Sequence, residues 1–163
     1  HGLSVTIHAA ELEPGHIYTL WWMIFDETEN CTDGLCSIDD IWLLDEDGQR
    51  ILDDEGLPIP NVAQREAVHI SALSGVGAVA LDDGTAMFRA HRPVGDATGD
   101  PFFGTYLRNP MTAEAHIILR THGPPQPGLE TEQLNTPWGG CPDPVDRSPC
   151  SDEVVAIFHA SGS

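Results

Sequence analysis

The stretch IYTLWWMIF (Ile17–Phe25) sets the fold. It carries no charge and is rich in aromatic and β-branched side chains, which suit a pleated strand. Both of its faces are apolar. A strand at a sheet's wet edge would alternate apolar and polar residues, so this one is expected at the centre, with a second sheet on one side. It is also far shorter than the roughly 20 residues a membrane-spanning helix needs.

Working outward, GLSVTIHAAEL (2–12) does alternate. Leu3, Val5 and Ile7 fall on one face and Ser4, Thr6 and His8 on the other, the pattern of a half-buried strand. Pro14-Gly15 suits a type II turn, so the two strands are expected to form a hairpin. Residues 26–40 read as an acidic loop, 41–44 (IWLL) as a short strand, and 45–66 as a turn-rich insertion without an internal repeat. AVHISAL (67–73) and VGAVAL (76–81) read as strands joined around Gly75 and Gly77. DDGT (82–85) is a hairpin turn signal, and AMFRAHR (86–92) follows it as a strand. Residues 93–113 read as loop. AEAHIILRTHGPPQPG (113–128) is a strand stopped by prolines, which cannot continue a ladder. A Pro/Gly-rich loop and the closing strand EVVAIFHA (153–160) complete the chain. No segment shows sustained helical periodicity with caps. The expected fold is therefore all-β: one antiparallel β-sandwich, immunoglobulin-like or jelly-roll-like, over residues 1–163, with long disulfide-pinned loops.

Charge is lopsided, with 26 acidic against 7 basic residues and a net of −19. All the basic residues are arginine. Such a surface offers no basic patch to release counterions from nucleic acid, and it disfavours anionic membranes. It attracts cations and stays soluble in salt. The four cysteines fall in two local pairs, Cys31/Cys36 and Cys141/Cys150. The spacings C-x4-C and C-x8-C lack the tight knuckles of a four-cysteine zinc site. Two local disulfides, and hence an oxidising, extracellular location, are expected. The chain begins at His1, directly inside a strand, and so reads as a mature or trimmed product.

Several motifs occur together here: LEPGHIYTLWWMIF followed by the C-x4-C loop, then AEAHIILRTHGPPQPG, then GGC…C before a closing strand that ends in His. In combination they resemble a family of secreted bacterial proteins with no assigned activity. The resemblance spans most of the chain and implies an exported single-domain β-sandwich. It implies no site residue.

Candidate chemistry follows from residue type. The acidic turns DEDG (45–48) and DDEG (53–56) offer hard oxygen ligands, and Asp45, Asp47, Asp53 and Asp54 are candidate calcium ligands. Arg50 stands where an EF-hand loop needs glycine, so the pattern is not an EF-hand. The chain has eight histidines. His1, His8, His69, His91, His116 and His159 lie on or beside strands and are candidate copper or zinc ligands if neighbouring strands bring them together. His1 offers a further arrangement, a copper brace through its amine and ring, of the kind that starts copper-dependent polysaccharide monooxygenases; no downstream segment stands out as the second ligand. His116 and His122 share a face but stand about 20 Å apart on a regular strand, too far to share an ion. The competing reading is that these histidines hydrogen-bond to the abundant carboxylates. No G-x-S-x-G elbow, free thiol or phosphate-binding glycine loop is present. Trp138, in the loop NTPWGGC, is a candidate to stack on a sugar or on a neighbouring subunit.

The leading expectation is an extracellular structural or adhesive protein, a cell-surface or filament-forming subunit that self-associates through edge strands, with calcium as stabiliser. The alternatives are a copper or zinc protein and a carbohydrate-binding module.

Overall fold

The computed structural model describes residues 1–96, 101–104, 106–136, 138–141 and 150–159. Nine strands and two short α-helices are assigned among them: β1 (Gly2–Ala9), β2 (Ile17–Phe25), α1 (Val62–Val68), β3 (Ile70–Val79), β4 (Ala86–Pro93), β5 (Gly95–Asp96), β6 (Pro101–Phe103), β7 (Tyr106–Leu107), β8 (Glu114–Thr121), α2 (Glu130–Asn135) and β9 (Ser151–Phe158). The main sheet has five strands in the order β6-β3-β2-β8-β9, and the assigned pairings are antiparallel. IYTLWWMIF is its central strand, as its sequence demands. A separate two-stranded ladder pairs β1 with β4, and β5 pairs with β7. The sheets are not closed, and β6 and β9 end the main one.

β2 is buried on both sides, but by different things. Tyr18, Leu20, Trp22 and Ile24 join Phe88 from β4 and Ile117 and Leu119 from β8 in one core cluster, and Leu3, Val5 and Ile7 from β1 pack against it. The apolar face of the β1–β4 ladder thus meets one face of the main sheet. On the other face Met23 and Phe25 pack with the Cys31–Cys36 disulfide, Ile41, Val68 and Ile70. Loops and helices, not a third sheet, cover that side.

Several expectations about local structure change, and residues 93–113, read as loop, contain the short strands β5, β6 and β7. The β1–β2 hairpin does not form. β1 pairs with β4 in a register running from Gly2↔Pro93 to Ala9↔Ala86. Both strands of that ladder alternate, and they share one apolar face, whereas β2 needs partners on both edges deep in the main sheet. The DDGT turn does form, with Leu81 N–H donating to Thr85 O at 2.8 Å. It delivers the chain from the main sheet to the ladder instead of closing a two-strand ribbon. Finally, AVHISAL and VGAVAL are one continuous strand, not two. The register steps from Leu20↔Val76 to Trp21↔Ser74, which leaves Gly75 as the extra residue of a bulge. Glycine there marks a close approach and not a turn: a Cβ on Gly75 would lie 2.6 Å from Leu20 O. Ala67 and Val68 belong to α1, which is capped by the Asn61 side chain and ended by His69 at φ 53°.

Residues 41–60 contain an eight-residue repeat that the sequence reading did not find. LLDEDGQR (43–50) and ILDDEGLP (51–58) share the pattern of an aliphatic residue, Leu, Asp, an acidic pair and then Gly. Leu43 N–H donates to Ile59 O, Ile59 N–H to Ile51 O, and Ile51 N–H to Leu43 O, each at 2.9 Å. Three backbone hydrogen bonds thereby close a ring among residues spaced eight apart. IWLL is accordingly not a strand; Trp42 and Leu44 make only isolated bridges, to Pro60 and Arg50.

Candidate binding face

The face of the main sheet turned away from the β1–β4 ladder carries Glu114, His116, Ile118 and Arg120 from β8 beside Trp21 and Met23 from β2. Strand alternation puts them there, and the core residues Ile117 and Leu119 take the opposite face. Three polar groupings follow one another along β8.

At one end Glu114 joins two histidines. Its Oε1 lies 2.6 Å from His116 Nε2 and its Oε2 lies 2.6 Å from His159 Nδ1. Glu114 is buried, and the His116 ring packs at 4.8 Å on Phe25. The carboxylate thus separates the two imidazoles, one on each oxygen, which is the hydrogen-bonding alternative to metal ligation.

In the middle, Arg120 is 2% exposed. A buried guanidinium is costly unless its charge and donors are met. Asp152 on β9 meets both ends of the fork, with Nε–Oδ1 at 2.8 Å and Nη2–Oδ2 at 3.1 Å. The guanidinium also lies 5.0 Å from the Trp21 ring centre and 5.4 Å from that of Trp138. Trp138 remains 50% exposed. Its indole is therefore presented to solvent on a fixed charged support. A second stack stands across the same face. Arg65 lies 4.5 Å from the ring of Trp42 and 3.8 Å from that of Phe103, and its Nε donates to Ile41 O at 2.7 Å. Burial lowers the Arg65 pKa to about 10. Trp21, Trp42 and Phe103 all pack on the same apolar cluster, so the two stacks belong to one surface.

At the far end of β8, His122 is fully buried. Its Nε2 lies 2.8 Å from Thr19 Oγ1 and its Nδ1 2.7 Å from Gly139 O. Burial is the main cause that holds its pKa below the usual histidine value; the Gly139 carbonyl opposes this, and Arg120 adds to it. Gln133 from α2 donates to His122 O at 3.1 Å and accepts from Gln126 N–H at 2.9 Å. The sequence HGPPQPG and the helix after it thus form a latch over the end of the sheet. Its fit is tight, since a Cβ on Gly139 would lie 2.2 Å from Glu132 O.

The candidate residues read from sequence are dispersed. His1 is exposed at the start of β1, His8 is exposed opposite Met87, His69 ends α1, and His91 Nδ1 lies 2.8 Å from Ser4 Oγ. Of the six proposed ligand histidines only His116 and His159 come together, and they meet on Glu114. Among the described residues the one group of three ligand atoms within 4.8 Å is His122 with Cys141 and Cys150. Those two cysteines form a disulfide, as do Cys31 and Cys36. Disulfide sulfurs are not thiolates, so this group is not a ready metal site. Asp45 and Asp53 organise the two repeat turns: Asp45 Oδ1 accepts from Asp47 and Gln49 N–H, and Asp53 Oδ1 from Glu55 and Leu57 N–H. Asp47 and Asp54 are exposed on the same turns.

Sequence reasoning singled out Trp138 and overlooked its supports. Arg120 and Asp152 carried a signal: an arginine directly after the apolar run Ile117–Leu119, in a chain poor in cations, needs an acid nearby. No helix among the described residues is long and apolar enough to cross a membrane, a statement that does not bear on strands. The two disulfides fit an oxidising environment. Comparison of the chain with protein-family models, with curated proteins and with solved structures finds no match.

Proposed function

We propose that this is an extracellular adhesion module that holds carbohydrate on the outer face of its main sheet. One observation carries the reading: Trp138 is half exposed and stacked on Arg120, which is itself clamped by Asp152 and backed by Trp21. A sugar's C–H face stacks on an indole, and a fixed indole loses little entropy on binding. Trp42 and Phe103 extend the aromatic character of the same face. The test is a glycan array followed by titration of any hit. Trp138→Ala should abolish binding while leaving the circular dichroism spectrum unchanged. Unaltered binding by that variant would remove the reading, and so would an array without a single saturable hit.

A second reading, assembly of copies through an open sheet edge, is favoured by β9. This edge strand ends in Ile157 and Phe158, which are about half exposed. An edge with apolar side chains can pair with another strand. Self-repulsion at −19 opposes it, so salt or a divalent cation should promote it. Light scattering across protein concentration, with sodium chloride, calcium or EDTA, tests this reading together with the expected calcium dependence. A monomer in every condition refutes it. Copper or zinc binding through His116 and His159 is the third reading. It requires both rings to leave Glu114, and stoichiometric metal analysis of the purified protein decides it.

A further inference from the structure

The β1–β4 ladder has two outer edges, and they differ. Val94 N–H donates to His1 O at 3.2 Å, which continues the ladder by one step and fixes which backbone groups face inwards. Hydrogen-bonded pairs alternate with non-hydrogen-bonded ones in an antiparallel ladder. Leu3, Val5, Ile7 and Ala9 therefore turn their N–H and C=O groups towards β4, while Ser4, Thr6 and His8 turn theirs outwards. On β4 the same alternation turns Met87, Arg89, His91 and Pro93 outwards. Proline and charge guard an edge against pairing with another strand, so the β4 edge is protected. The β1 edge is not. GLSVTIHA contains no proline, no acid and no arginine, in a chain of net −19. Among the described residues β1 pairs with β4 alone, and the outward backbone groups of Ser4, Thr6 and His8 have no assigned partner. The core is unfinished on the same flank. Leu3, Val5 and Ile7 pack on the core cluster yet are only half-buried, whereas Phe88, the partner of Ile7, is fully buried. β4 stands on one side of these β1 side chains and the main sheet lies beneath them, so what stays exposed is the outer flank.

We infer that the β1 edge is a dimerisation surface whose occupant is β1 of a second copy, running antiparallel about a two-fold axis at Val5. In that register Val5 meets its own equivalent and Leu3 meets Ile7 of the second copy, so apolar residues face apolar ones and the half-exposed flank closes. Ser4 and Thr6 stand opposite one another and exchange backbone hydrogen bonds. The two ladders join as one sheet in the order β4-β1-β1-β4, a closed isologous contact that gives a dimer and not a filament. A strand without acid is also where two chains of net −19 approach with least repulsion. The contact uses a different edge from β9 and does not depend on carbohydrate binding.

The experiment is sedimentation velocity on the full chain across a wide range of protein concentration, in low and high sodium chloride, with backbone hydrogen exchange read at both ends of that range. A monomer–dimer equilibrium that salt strengthens is expected. The Ser4, Thr6 and His8 amides should be protected at high concentration and exchange freely on dilution. Thr6→Pro removes an outward N–H and no bond to β4, and should weaken the dimer about tenfold. Thr6→Glu leaves the backbone intact, sets a like charge beside the two-fold axis, and should weaken the dimer most at low salt. Met87→Pro, the matching change on the β4 edge, should leave the dimer unchanged, and so should Phe158→Ser on β9. A monomer at every concentration and salt overturns the proposal, and so does a dimer that both Thr6 variants leave intact. Loss of the dimer in Phe158→Ser but not in the Thr6 variants would move the contact to β9. A monomeric protein whose Ser4, Thr6 and His8 amides are protected by an excess of an unrelated alternating peptide would give the edge to a strand from another protein, and the second copy would be overturned as its occupant.

Discussion

Replacing Arg120 with leucine tests the reasoning about the aromatic face most directly. The substitution removes two charge-assisted hydrogen bonds to Asp152 and two cation–π contacts, and it leaves a shape that is still apolar. Hydrogen bonds to a charged group contribute about 1.5–3 kcal/mol. Each ring contact adds roughly 0.5–1 kcal/mol where one side is wet. Against this, the Asp152 side chain is 34% exposed and rehydrates, so the full penalty of a stranded buried charge does not apply. The leucine also gains some burial. The net loss should be about 2–3 kcal/mol, which for a chain of this size is a fall in Tm of roughly 6–9 °C. Urea unfolding followed by circular dichroism and tryptophan fluorescence measures it. Asp152→Asn alone should cost about 1 kcal/mol, because one acceptor remains and the site is partly wet. The double variant should then show a coupling energy of about 1–2 kcal/mol. Coupling below about 0.5 kcal/mol would mean that the clamp is a geometric coincidence, and the fixed presentation of Trp138 would fall with it.

Further predictions rest on the buried ionisable groups and the tight glycines. His122 has a folded pKa below 6.5, so the unfolded chain takes up its proton first as pH falls. Its contribution to stability is therefore complete above pH 6.5 and is lost as pH drops from there towards the folded value. Denaturation at pH 7.5 and 5.5 should show a larger loss in the natural protein than in His122→Gln; equal losses would refute the assignment. Asp26 has the opposite sign. Burial raises its pKa above the usual carboxylate value, despite backbone donors from Arg108 and Asn109. Its carboxyl favours folding at low pH, and that contribution is lost as pH rises through the folded value. Asp26→Asn should therefore gain stability relative to the natural protein between pH 4 and 7, and a constant difference across that range would count against the argument. Gly77→Ala would place a Cβ 2.2 Å from Leu134 O, pushing α2 off β3 at a cost of about 1–3 kcal/mol. A Tm within 1 °C of the natural protein would show that the helix yields freely.

The strands that survived from sequence to structure are those whose burial pattern is local. β2 is buried on both faces and β1 on one, and each shows it in its own residues. What sequence could not give was pairing, because the β1–β4 ladder depends on two alternating strands almost eighty residues apart finding one another. Glycine misled in one particular way. Gly75 and Gly77 looked like a break, yet they let β3 bulge against Leu20 and take α2 against its backbone. The helices escaped notice because seven and six residues are too few to establish a 3.6-residue period. The site shows the same limit. Trp138 stood out as an isolated aromatic in a loop, but what makes it usable is an arginine eighteen residues earlier and an aspartate fourteen residues later. The histidine set failed for a related reason. Six imidazoles on or beside strands say nothing of which share a face and an end, and the acidic excess supplied Glu114 where a metal would have been needed.

The three-bond ring of residues 43–59 has a practical consequence for engineering. Each of its bonds joins a different pair of the three chain passes, so deleting either octad breaks two of the three and leaves the third unsupported. The turn tips at 46–47 and 54–55 are another matter, since they are exposed and lie outside the ring. Foreign loops should graft there without disturbing the closure, which gives this acidic domain two adjacent display positions on a rigid mount.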